Sequence, residues 1–543
     1  MLKKERSKKY RFIQTSRIIT QIVFFVLFFF LLLQTRFPGQ DTIRRVEVFF
    51  HFDPLLAVAT FVASRTIFLA FIYAAITLLV TFVLGRVVCG WVCPMGSLHQ
   101  FFSWIFKKTK LYRPQRIKAF KDKRLAWKYY LLLFLLISTL FTLNLVGIFD
   151  PFSLLYRSFA VGFLPAIDHT VGSLIGLLYK INLSSIGDGM VQFFEGLSIN
   201  ATFIQGFLIA ALFIGLVLLN MYRERFWCRY LCPLGAFLGL ASRMNLLKLT
   251  VSEEKCIKCN LCTIHCQTLA NPWPNEDWKS SECDYCFTCS AICPTNAITF
   301  PIRVKSESIE SVNLSRRKVI LTSFLSLFAV PFFRISPAKT RASEKLIRPP
   351  GALPEDQFLQ KCIRCGECMK VCPTNALQPA RTEAGPEGLW TPILVPEIGY
   401  CEYYCSLCTQ VCPTGAIKEL SVAEKNQICI GTAWIDKNRC IPWKFGDPCI
   451  VCEEHCPVSP KAIKFNRIEV SRPDGVIKTP LAPQIEVDSC TGCGICQNKC
   501  PVVDQPAIYV TSVGETRSEK NQMKLKLIQP EFTVTDPGED IYK

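Results

Sequence analysis

Several motifs that would mark common chemistries are missing from the 543-residue sequence. It contains no C-x-x-C-H motif, so covalently attached haem is not indicated. It has neither a Walker loop nor a G-x-G-x-x-G segment that opens a helix after a strand, so nucleotide binding is not indicated. The formal charge is +19, but no aromatic-basic module accompanies it, which argues against nucleic acid as a partner. Basic loops on the cytoplasmic side of a membrane explain the charge more simply.

Cysteine, by contrast, is abundant. The chain has 29 cysteines, and most of them fall in a tight spacing that repeats along the sequence. Disulfide scaffolds of secreted proteins do not need such a repeat. Hydrophobic residues make up 50% of the chain, and the long apolar runs lie almost wholly before residue 222. The composition therefore predicts an apolar region followed by a cysteine-rich one, within a length that allows about two to four domains.

The apolar runs predict an α-helical membrane domain with four spans. Residues 18–33 can cross a bilayer with their flanks and no small-residue cleavage site follows, which favours an anchor over a signal peptide. The apolar segment at 159–180 is interrupted by Pro165, Asp168 and His169, which favour a surface-lying or re-entrant helix. The predicted spans are residues 18–33, 66–85, 129–149 and 202–222.

The charges in the loops predict the orientation of these spans. Residues 107–128 contain ten basic residues and one acid, Asp122. The N-terminal segment is also strongly basic. Basic loops remain in the cytoplasm, so both segments are expected there, and the two agree if two spans separate them.

The apolar region contains an internal repeat. The motif R-x-x-C-x-x-x-C-P-x-G occurs twice, and an F-D-P motif precedes each copy. Cysteines at positions i and i+4 share one helical face, so each pair could offer two ligands to a common four-thiolate metal site or cluster. The alternatives are reduced, buried thiols or a dithiol switch in each pair. The cysteines concerned are Cys89, Cys93, Cys228 and Cys232.

From residue 256 the chain repeats the spacing C-x2-C-x2-C-x3-C of bacterial two-cluster ferredoxins. In that arrangement three thiolates of one loop and the fourth cysteine of the partner loop hold each [4Fe–4S] cluster. The sequence contains six such loops, and those that begin at Cys401 and Cys440 have a longer first gap. Three-cysteine loops repeated six times, with proline after the fourth cysteine in five, favour clusters over zinc.

This crossing rule assigns 24 cysteines to six clusters. The predicted ligand sets are Cys256, Cys259 and Cys262 with Cys293; Cys283, Cys286 and Cys289 with Cys266; Cys362, Cys365 and Cys368 with Cys412; Cys401, Cys405 and Cys408 with Cys372; Cys440, Cys449 and Cys452 with Cys500; and Cys490, Cys493 and Cys496 with Cys456. Cys429 is left over as a packed or free thiol. We expect His99 and His265 to form local hydrogen bonds rather than to bind metal.

A basic and apolar segment, residues 313–345, separates the first two cysteine loops from the other four. Its paired Arg316 and Arg317 are followed, after one residue, by an apolar run to Phe333. This fits a twin-arginine signal, which directs the export of proteins that must first fold around clusters in the cytosol. The alternative is a basic flank ahead of a short buried helix. A T-R-A sequence at 340–342 is only a marginal cleavage site, so we expect the segment to remain as a fifth span.

The predicted chain therefore has five parts, in which small α+β, bacterial-ferredoxin-like [4Fe–4S] domains follow the α-helical membrane domain. These are a four-span membrane domain with both C-x-x-x-C-P motifs (1–250), a cytoplasmic two-cluster ferredoxin domain (251–305), the twin-arginine segment (313–345), an extracytoplasmic four-cluster polyferredoxin domain (346–520) and a C-terminal tail (521–543).

The motifs resemble those of two protein families. Residues 1 to about 300 resemble the NapH and MauN membrane proteins through the two C-x-x-x-C-P motifs and the first eight ferredoxin cysteines. Residues 313 to about 515 resemble NapG and MauM through S-R-R-K and the last sixteen cluster cysteines. The chain thus resembles a fusion of two usually separate subunits, a NapGH-like quinol dehydrogenase. The resemblance implies a multi-pass protein of the bacterial inner membrane, with a cytoplasmic N-terminus, that passes electrons from the quinone pool to a periplasmic nitrate reductase or cytochrome.

A quinol site would need a proton acceptor beside a one-electron centre, since quinol releases two electrons and two protons. The candidates are His51, Asp53 and Asp150 near the F-D-P motifs, although an aspartate there would also cap a helix. Two other functions remain open. The first is that of a reductase that supplies electrons for the assembly or maturation of a metalloenzyme, since related proteins with C-x-x-x-C-P motifs and ferredoxin clusters resemble such reductases. The second is that of an electron conduit with no donor site of its own.

Overall fold

The computed structural model describes residues 8–35, 47–66, 68–108, 122–195, 201–271, 278–302, 314–334, 344–471, 475–518 and 521. Three predicted features lie wholly or largely outside these residues. They are the basic loop at 107–128, the T-R-A sequence at 340–342 and the C-terminal tail at 521–543.

The described residues between 8 and 245 form a helical bundle, as the apolar runs predict. Its core includes the fully buried Phe28, Leu56, Leu135, Leu155 and Leu238. Its α-helices are α1 (Lys8–Gln34), α2 (Glu47–His51), α3 (Pro54–Ser64), α4 (Tyr73–Leu84), α5 (Val87–Trp91), α6 (Pro94–Lys107), α7 (Trp127–Leu140), α8 (Val146–Phe149), α9 (Pro151–Arg157), α10 (Leu164–Lys180), α11 (Ser184–Glu195), α12 (Gly206–Leu218) and α13 (Pro233–Ala241), with π-helical turns at Ser158–Phe163 and Trp227–Leu231.

The two F-D-P motifs begin helices in the same way. Asp53 caps α3, where its Oδ1 accepts hydrogen bonds from the backbone N of Leu55 (2.8 Å) and Leu56 (3.0 Å). Asp150 caps α9, where its Oδ2 accepts from the backbone N of Ser153 (2.8 Å). In both helices proline takes the first position, which needs no N–H donor. The capping role expected for an aspartate at this place is confirmed.

Helix lengths differ from the predicted spans. By length and composition, two helical segments of the described chain are long and apolar enough to cross a membrane, Phe12–Gln34 and Pro151–Lys180. Other apolar helices are shorter: Pro54–Ser64, Leu69–Leu84 and Gly206–Met221. Helix length therefore does not confirm a domain of four spans plus a fifth.

Two of the differences have local causes. The predicted span at 129–149 ends early, because α7 stops at Leu140 and Thr142 takes a left-handed φ of 65° that no helix continues. The segment at 159–180, expected to be a separate surface or re-entrant helix, continues α9 through a π-helical turn into α10. Pro165 does not end this helix, because it follows directly on the π-helical turn Ser158–Phe163, where the α-helical hydrogen-bond pattern is already interrupted.

The outer surface of the bundle is strongly apolar. Leu69, Leu79 and Phe207, for example, are 79%, 65% and 88% exposed. Water-facing proteins rarely expose continuous apolar surface on several helices at once. This exterior fits association with a membrane.

The cysteine-rich residues form two arrays of short strands and one-turn helices. The first array comprises the described residues between 250 and 302, and the second comprises those between 344 and 518. Their helices are α14 (Leu261–Ile264) and α15 (Thr288–Ile292) in the first, then α17 (Glu355–Lys361), α18 (Glu367–Lys370), α19 (Leu407–Gln410), α20 (Val422–Asn426), α21 (Ile441–Phe445), α22 (Val451–Glu454) and α23 (Ile495–Asn498) in the second; α16 (Arg316–Arg334) lies between the arrays.

The strands of both arrays pair as two-stranded antiparallel ladders, β1–β2, β3–β4, β5–β10, β6–β9 and β7–β8. In the first array, Thr250 of β1 pairs with Thr299 of β2, and both cysteine loops lie between these strands. The strands are β1 (Thr250–Val251), β2 (Ile298–Thr299), β3 (Leu377–Pro379), β4 (Pro392–Leu394), β5 (Thr432–Ile435), β6 (Ile463–Arg467), β7 (Val470–Ser471), β8 (Ile477–Lys478), β9 (Leu481–Ile485) and β10 (Ile508–Thr511).

Helix α16 contains the paired arginines and packs along α7. At its start, the backbone N of Ser315 donates to Tyr130 Oη (3.0 Å). Towards its other end Val330 is buried in the main core, and the helix contacts residues 386–388 of the second array. Helix α16 therefore lies beside the bundle from the Tyr130 end of α7 to the second array.

Candidate iron–sulfur sites

Four cavities in the arrays are each lined by four cysteines. The walls of each cavity are mostly apolar. The lining cysteines are Cys256, Cys259, Cys262 and Cys293 in the first array, then Cys372, Cys401, Cys405 and Cys408, then Cys440, Cys449, Cys452 and Cys500, and finally Cys456, Cys490, Cys493 and Cys496. In every case the structure brings together the cysteines that the crossing rule groups.

The cysteines of the other two sets also lie close to one another. Cys368 is within electrostatic range of Cys362, Cys365 and Cys412, and also of Cys408 from the neighbouring set. Cys289 is within the same range of Cys286 and Cys266, and also of Cys262 from the neighbouring set. The assigned partner-loop cysteine is thus nearby in both sets, and the neighbouring cluster set is close as well.

Backbone geometry explains how a short loop can wrap around a cluster. In the four regular loops that begin at Cys256, Cys283, Cys362 and Cys490, the residues directly before and after the second cysteine both have positive φ. These pairs are Lys258 and Asn260, Tyr285 and Phe287, Arg364 and Gly366, and Gly492 and Gly494. A one-turn helix then begins and carries the third cysteine. The loops at Cys401 and Cys440, whose residues are all described, do not have this pair, in keeping with their longer first gaps.

Holding non-glycine residues in this region costs about 1 kcal/mol or more each. Lysine, tyrosine, phenylalanine and arginine have no preference for it, so their conformation is imposed by the arrangement of the cysteines. The donor set is thus a ring of thiols around a cavity, which fits a [4Fe–4S] cluster held by four thiolates. Among the described residues, no group of three or more His, Cys, Asp or Glu side chains is arranged to hold a single metal ion.

The first array is docked on the bundle by buried charges. Arg225 forms an ion pair with Asp284, and both side chains are 2% exposed. Glu282 pairs with Lys128, accepts a hydrogen bond from Tyr129 Oη (2.7 Å) and lies 3.6 Å from Arg86. Although burial raises the pKa of Asp284, the nearby Arg225 and Arg17 lower it below its ordinary value overall.

The second array is docked at a different part of the bundle, mainly through backbone carbonyls. Arg157 of α9 donates to the carbonyl of Arg364 (2.8 Å), and Arg364 donates to that of Asn144 (2.6 Å). Asn144 donates to the carbonyl of Gln360 (2.8 Å). At the end of α1, Lys370 Nζ donates hydrogen bonds to the carbonyl of Thr35 (2.8 Å) and to the carbonyl of Leu32.

Each array brings one cysteine loop into direct contact with a bundle glycine. A Cβ atom on Gly90 would lie 2.3 Å from the carbonyl O of Asp284, between Cys283 and Cys286. A Cβ atom on Gly147 would lie 2.0 Å from the carbonyl O of Ile363, between Cys362 and Cys365. No larger residue fits either position without displacing a cluster loop. The two loops therefore mark where the bundle meets the clusters.

The predicted quinol-site residues lie near the second array. Asp53 and Asp150 are fully buried, and their carboxyls are within hydrogen-bonding reach of each other. Burial and the adjacent Asp150 carboxylate raise the pKa of Asp53 above its ordinary value. His51 Nε2 lies 3.3 Å from the carbonyl O of Pro413, next to Cys412. Burial lowers the pKa of His51.

The remaining sequence candidates have local partners. The Nδ1 of the buried His99 contacts the Asn220 side chain, and that of the exposed His265 contacts the carbonyl of Leu261 (3.0 Å). The expectation of local hydrogen bonds is confirmed for both. Cys429 lines none of the four cavities, and its Sγ donates to the carbonyl of Gly431 (3.1 Å).

The buried arginines are the functional residues that sequence reasoning left unassigned. Arg157 is fully buried and lies over the Trp390 ring of the second array (4.7 Å). The sequence could have indicated a role for Arg157, because a charged residue inside an otherwise apolar run usually has a charged or polar partner or belongs to a functional site. Arg364 gives no such signal, because a charged residue between two cysteines of an exposed-looking loop is unremarkable.

Known proteins support the iron–sulfur assignment. The family described as a 4Fe-4S binding domain matches residues 66–112 and 205–250. The family described as a 4Fe-4S dicluster domain matches residues 361–416. No solved structure matches the chain.

Three curated relatives illustrate the similarity. The methylamine utilization ferredoxin-type protein MauM of Methylorubrum extorquens is 38% identical over 32% of this chain and 74% of its own length. The ferredoxin-type protein NapG of Escherichia coli is 34% identical over 33% of this chain and 76% of its own length. An uncharacterized protein of Methanocaldococcus jannaschii is 25% identical over 46% of this chain and 78% of its own length.

Ferredoxin-type loops, four-cysteine cavities and the matched domains together define an iron–sulfur electron-transfer protein. Within that class, the chain belongs to the family of ferredoxin-type proteins that includes MauM and NapG. The resemblance of residues 1 to about 300 to NapH and MauN stays a prediction.

The crossing rule gives a test with a matched control. Replacing Cys412 with serine is expected to remove the cluster of the Cys362 loop, with a loss of about four iron atoms per chain, because the fourth thiolate of that set is gone. Iron analysis and EPR of the reduced protein measure this loss. The Cys429→Ser variant carries the same chemical change outside the sets and should retain its iron. Equal iron in both variants would contradict the assignment.

Proposed function

We propose that the protein is a membrane-bound quinol dehydrogenase subunit. It takes electrons from the quinol pool and relays them one at a time through six [4Fe–4S] clusters to an extracytoplasmic redox partner, such as a nitrate reductase or a cytochrome. The relatives named NapG and MauM support the electron-transfer part of this proposal.

The observation that carries the proposal is the placement of the two arrays. The first array contacts the bundle around Lys128 and around Arg86 and Arg225, the arginines of the two C-x-x-x-C-P motifs. The second array contacts the end of α1 and Arg157, the last residue of α9. Helix α1 has 27 residues, and an α-helix rises about 1.5 Å per residue, so the two ends of α1 lie about 40 Å apart. Near its first end the ring of Tyr10 stacks on the ring of Phe287 in the first array. Just past its other end the backbone carbonyl of Thr35 accepts a hydrogen bond from Lys370 of the second array.

That separation is comparable to the thickness of a bilayer with its headgroups, about 40 to 45 Å. The apolar exterior of the bundle would then face lipid, the first array would lie in the cytoplasm with the basic loops, and the second array would lie outside. Helix α16 would cross as the retained fifth span that joins the two arrays. This arrangement supports a fused NapH-like and NapG-like protein in the bacterial inner membrane.

The quinol site would lie where the F-D-P motifs meet the second array. The Asp53 and Asp150 carboxyls lie together inside the bundle, where the raised pKa of Asp53 favours the uptake of a proton, and His51 is next to the Cys412 segment. A group that exchanges protons beside a one-electron centre is what quinol oxidation requires. Since both aspartates also cap helices, a role in proton transfer would come in addition to a structural one.

The donor assignment is tested with purified protein in detergent. Menaquinol and ubiquinol analogues should reduce the clusters, seen as bleaching of their visible absorbance, and a terminal oxidant should restore it. In the His51→Gln variant, reduction by the quinol should slow by about tenfold or more if this imidazole takes the proton. Reduction by dithionite, which needs no proton acceptor, should stay unchanged. Clusters that dithionite reduces but neither quinol reduces would contradict the quinol dehydrogenase assignment.

A further inference from the structure

We propose that the two C-x-x-x-C-P motifs together hold a seventh iron–sulfur cluster, with Cys89, Cys93, Cys228 and Cys232 as its ligands. This goes beyond the proposed function, which uses only the six ferredoxin sets. From sequence alone, buried free thiols and dithiol switches were equally open. The structure adds the relative placement of the two motifs, the helices that begin at them and the charges around them.

The four thiols converge although 139 residues separate the motifs, from Cys89 to Cys228. Cys232 is within electrostatic range of the other three, and Cys93 is within range of Cys89 and Cys228. All four are free of disulfides. Each motif thus contributes two thiols to one place, as each ferredoxin loop contributes three thiols to its cavity.

Two helices begin at this place. Cys93 is the N-cap of α6, a helix of 14 residues, and Cys232 is the N-cap of α13, a helix of 9 residues, each with proline at the first position. The Sγ of Cys232 accepts a hydrogen bond from the backbone N of Gly235 (3.2 Å). Helix N-termini stabilise negative charge and favour the thiolate over the thiol. Metal ligands need the thiolate, whereas inert buried thiols do not.

The arginine of each motif crosses to the other motif. Arg86 lies beside Cys89 and Cys232. A Cβ atom on Gly235, in the second motif, would lie 2.9 Å from an Arg86 Nη atom. Arg225 lies in turn against Gly96 of the first motif, where a Cβ atom would be 3.0 Å from Nη2, and it donates to the carbonyl of Cys89 (3.2 Å).

This exchange explains why arginine and glycine recur at fixed offsets in the repeat: the glycine leaves room for the guanidinium of the other half. Arg86 and Arg225 are 3% and 1% exposed. Each guanidinium also pairs with an acid of the first array, Arg86 with Glu282 and Arg225 with Asp284, so each cation lies between a carboxylate and the thiols. The two guanidinium groups and the two helix N-termini stabilise negative charge on the thiols in this low-dielectric interior, as a cluster held by four thiolates requires.

The site also lies beside the first array. Gly90, next to Cys89, packs against Asp284 of the Cys283 loop, and Arg225 is within electrostatic range of both Cys228 and Cys286. The seventh cluster would accept one electron from the neighbouring reduced cluster and pass from the 2+ to the 1+ state, while its neighbour returns to 2+. No bond or proton changes. In addition, residues 66–112 and 205–250, which match a 4Fe-4S binding domain, contain no cysteines other than these four.

The test compares the unmodified protein with two variants. Cys93→Ser and Cys232→Ser should each contain about four fewer iron atoms per chain than the parent, whereas Cys429→Ser should contain the same number. Mössbauer spectra of iron-57 protein count the clusters directly. In the unmodified protein, a maleimide should not label the four thiols until the clusters are destroyed by acid and a chelator, as peptide mass spectrometry can show without any substitution.

The labelling keeps the test decisive if a variant does not fold. Labelling of these thiols in the native protein would overturn the proposal in favour of free thiols. Labelling that requires a reductant but no loss of iron would overturn it in favour of disulfides. Iron contents in Cys93→Ser and Cys232→Ser equal to that of the parent would overturn it as well.

Discussion

Replacing Glu282 with glutamine is expected to destabilise the docked first array by about 3 to 5 kcal/mol, because it leaves the buried cations Lys128 and Arg86 without their carboxylate. Glu282 is 1% exposed and Lys128 is 0% exposed, so water cannot take over the lost charge. Hydrogen exchange measured by mass spectrometry reports the effect locally, as faster exchange of the amides in residues 278–302.

The same substitution at an exposed pair provides the control. Glu486 pairs with Lys464 at 2.6 Å, but the two side chains are 41% and 57% exposed. Glu486→Gln should therefore change stability by less than about 1 kcal/mol. If residues 278–302 exchanged in Glu282→Gln as slowly as in Glu486→Gln, the buried charges would not be what holds the first array to the bundle.

The second large effect concerns the side of the membrane on which the second array lies. A reporter that is active only outside the cytoplasm, fused after residue 345, should be active. Changing Arg316 and Arg317 to lysine should lower that activity by about tenfold or more, because the twin-arginine pathway reads both arginines. A fusion after residue 302 should be inactive. The size of the active fusion on a denaturing gel shows whether α16 is retained or cleaved.

The chain offers a matched control for the paired arginines. Arg44 and Arg45 form a second arginine pair in the sequence, with no apolar run of signal type after it. Lysine at both of these positions should leave reporter activity unchanged. Activity that did not depend on Arg316 and Arg317, or a fusion after residue 345 that was inactive from the start, would contradict the export of the second array.

The ligand sets could be grouped from sequence because cluster loops are local. Three cysteines within seven residues determine their own cavity, so spacing alone places Cys490, Cys493 and Cys496 together, and the crossing rule adds Cys456. The irregular gap between Cys440 and Cys449 did not prevent this, because the extra residues form the short helix α21, whose first residues Ile441 and Pro442 line the same cavity as both cysteines.

The helix ends and the docking contacts could not be predicted in this way. Whether α7 continues past Leu140 depends on where the following residues pack, and an apolar composition does not reveal it. Gly90 and Gly147 look like ordinary glycines of an apolar region, since only the approach of a distant loop makes their missing Cβ necessary. The exchange of Arg86 and Arg225 between motifs is likewise a property of the assembled pair.

The way in which the second array meets the bundle has a consequence for the joining of two proteins in one chain. The contacts of Arg157, Asn144 and Lys370 are directed at backbone carbonyls, which place the array accurately but contribute only about 1 kcal/mol each, or somewhat more for charged donors. A tether of α16 and its short flanks turns this docking into an intramolecular event with an effective concentration of the order of millimolar. Separate subunits would need a far tighter interface to remain together at cellular concentrations, whereas the tethered array can remain docked through contacts of modest affinity.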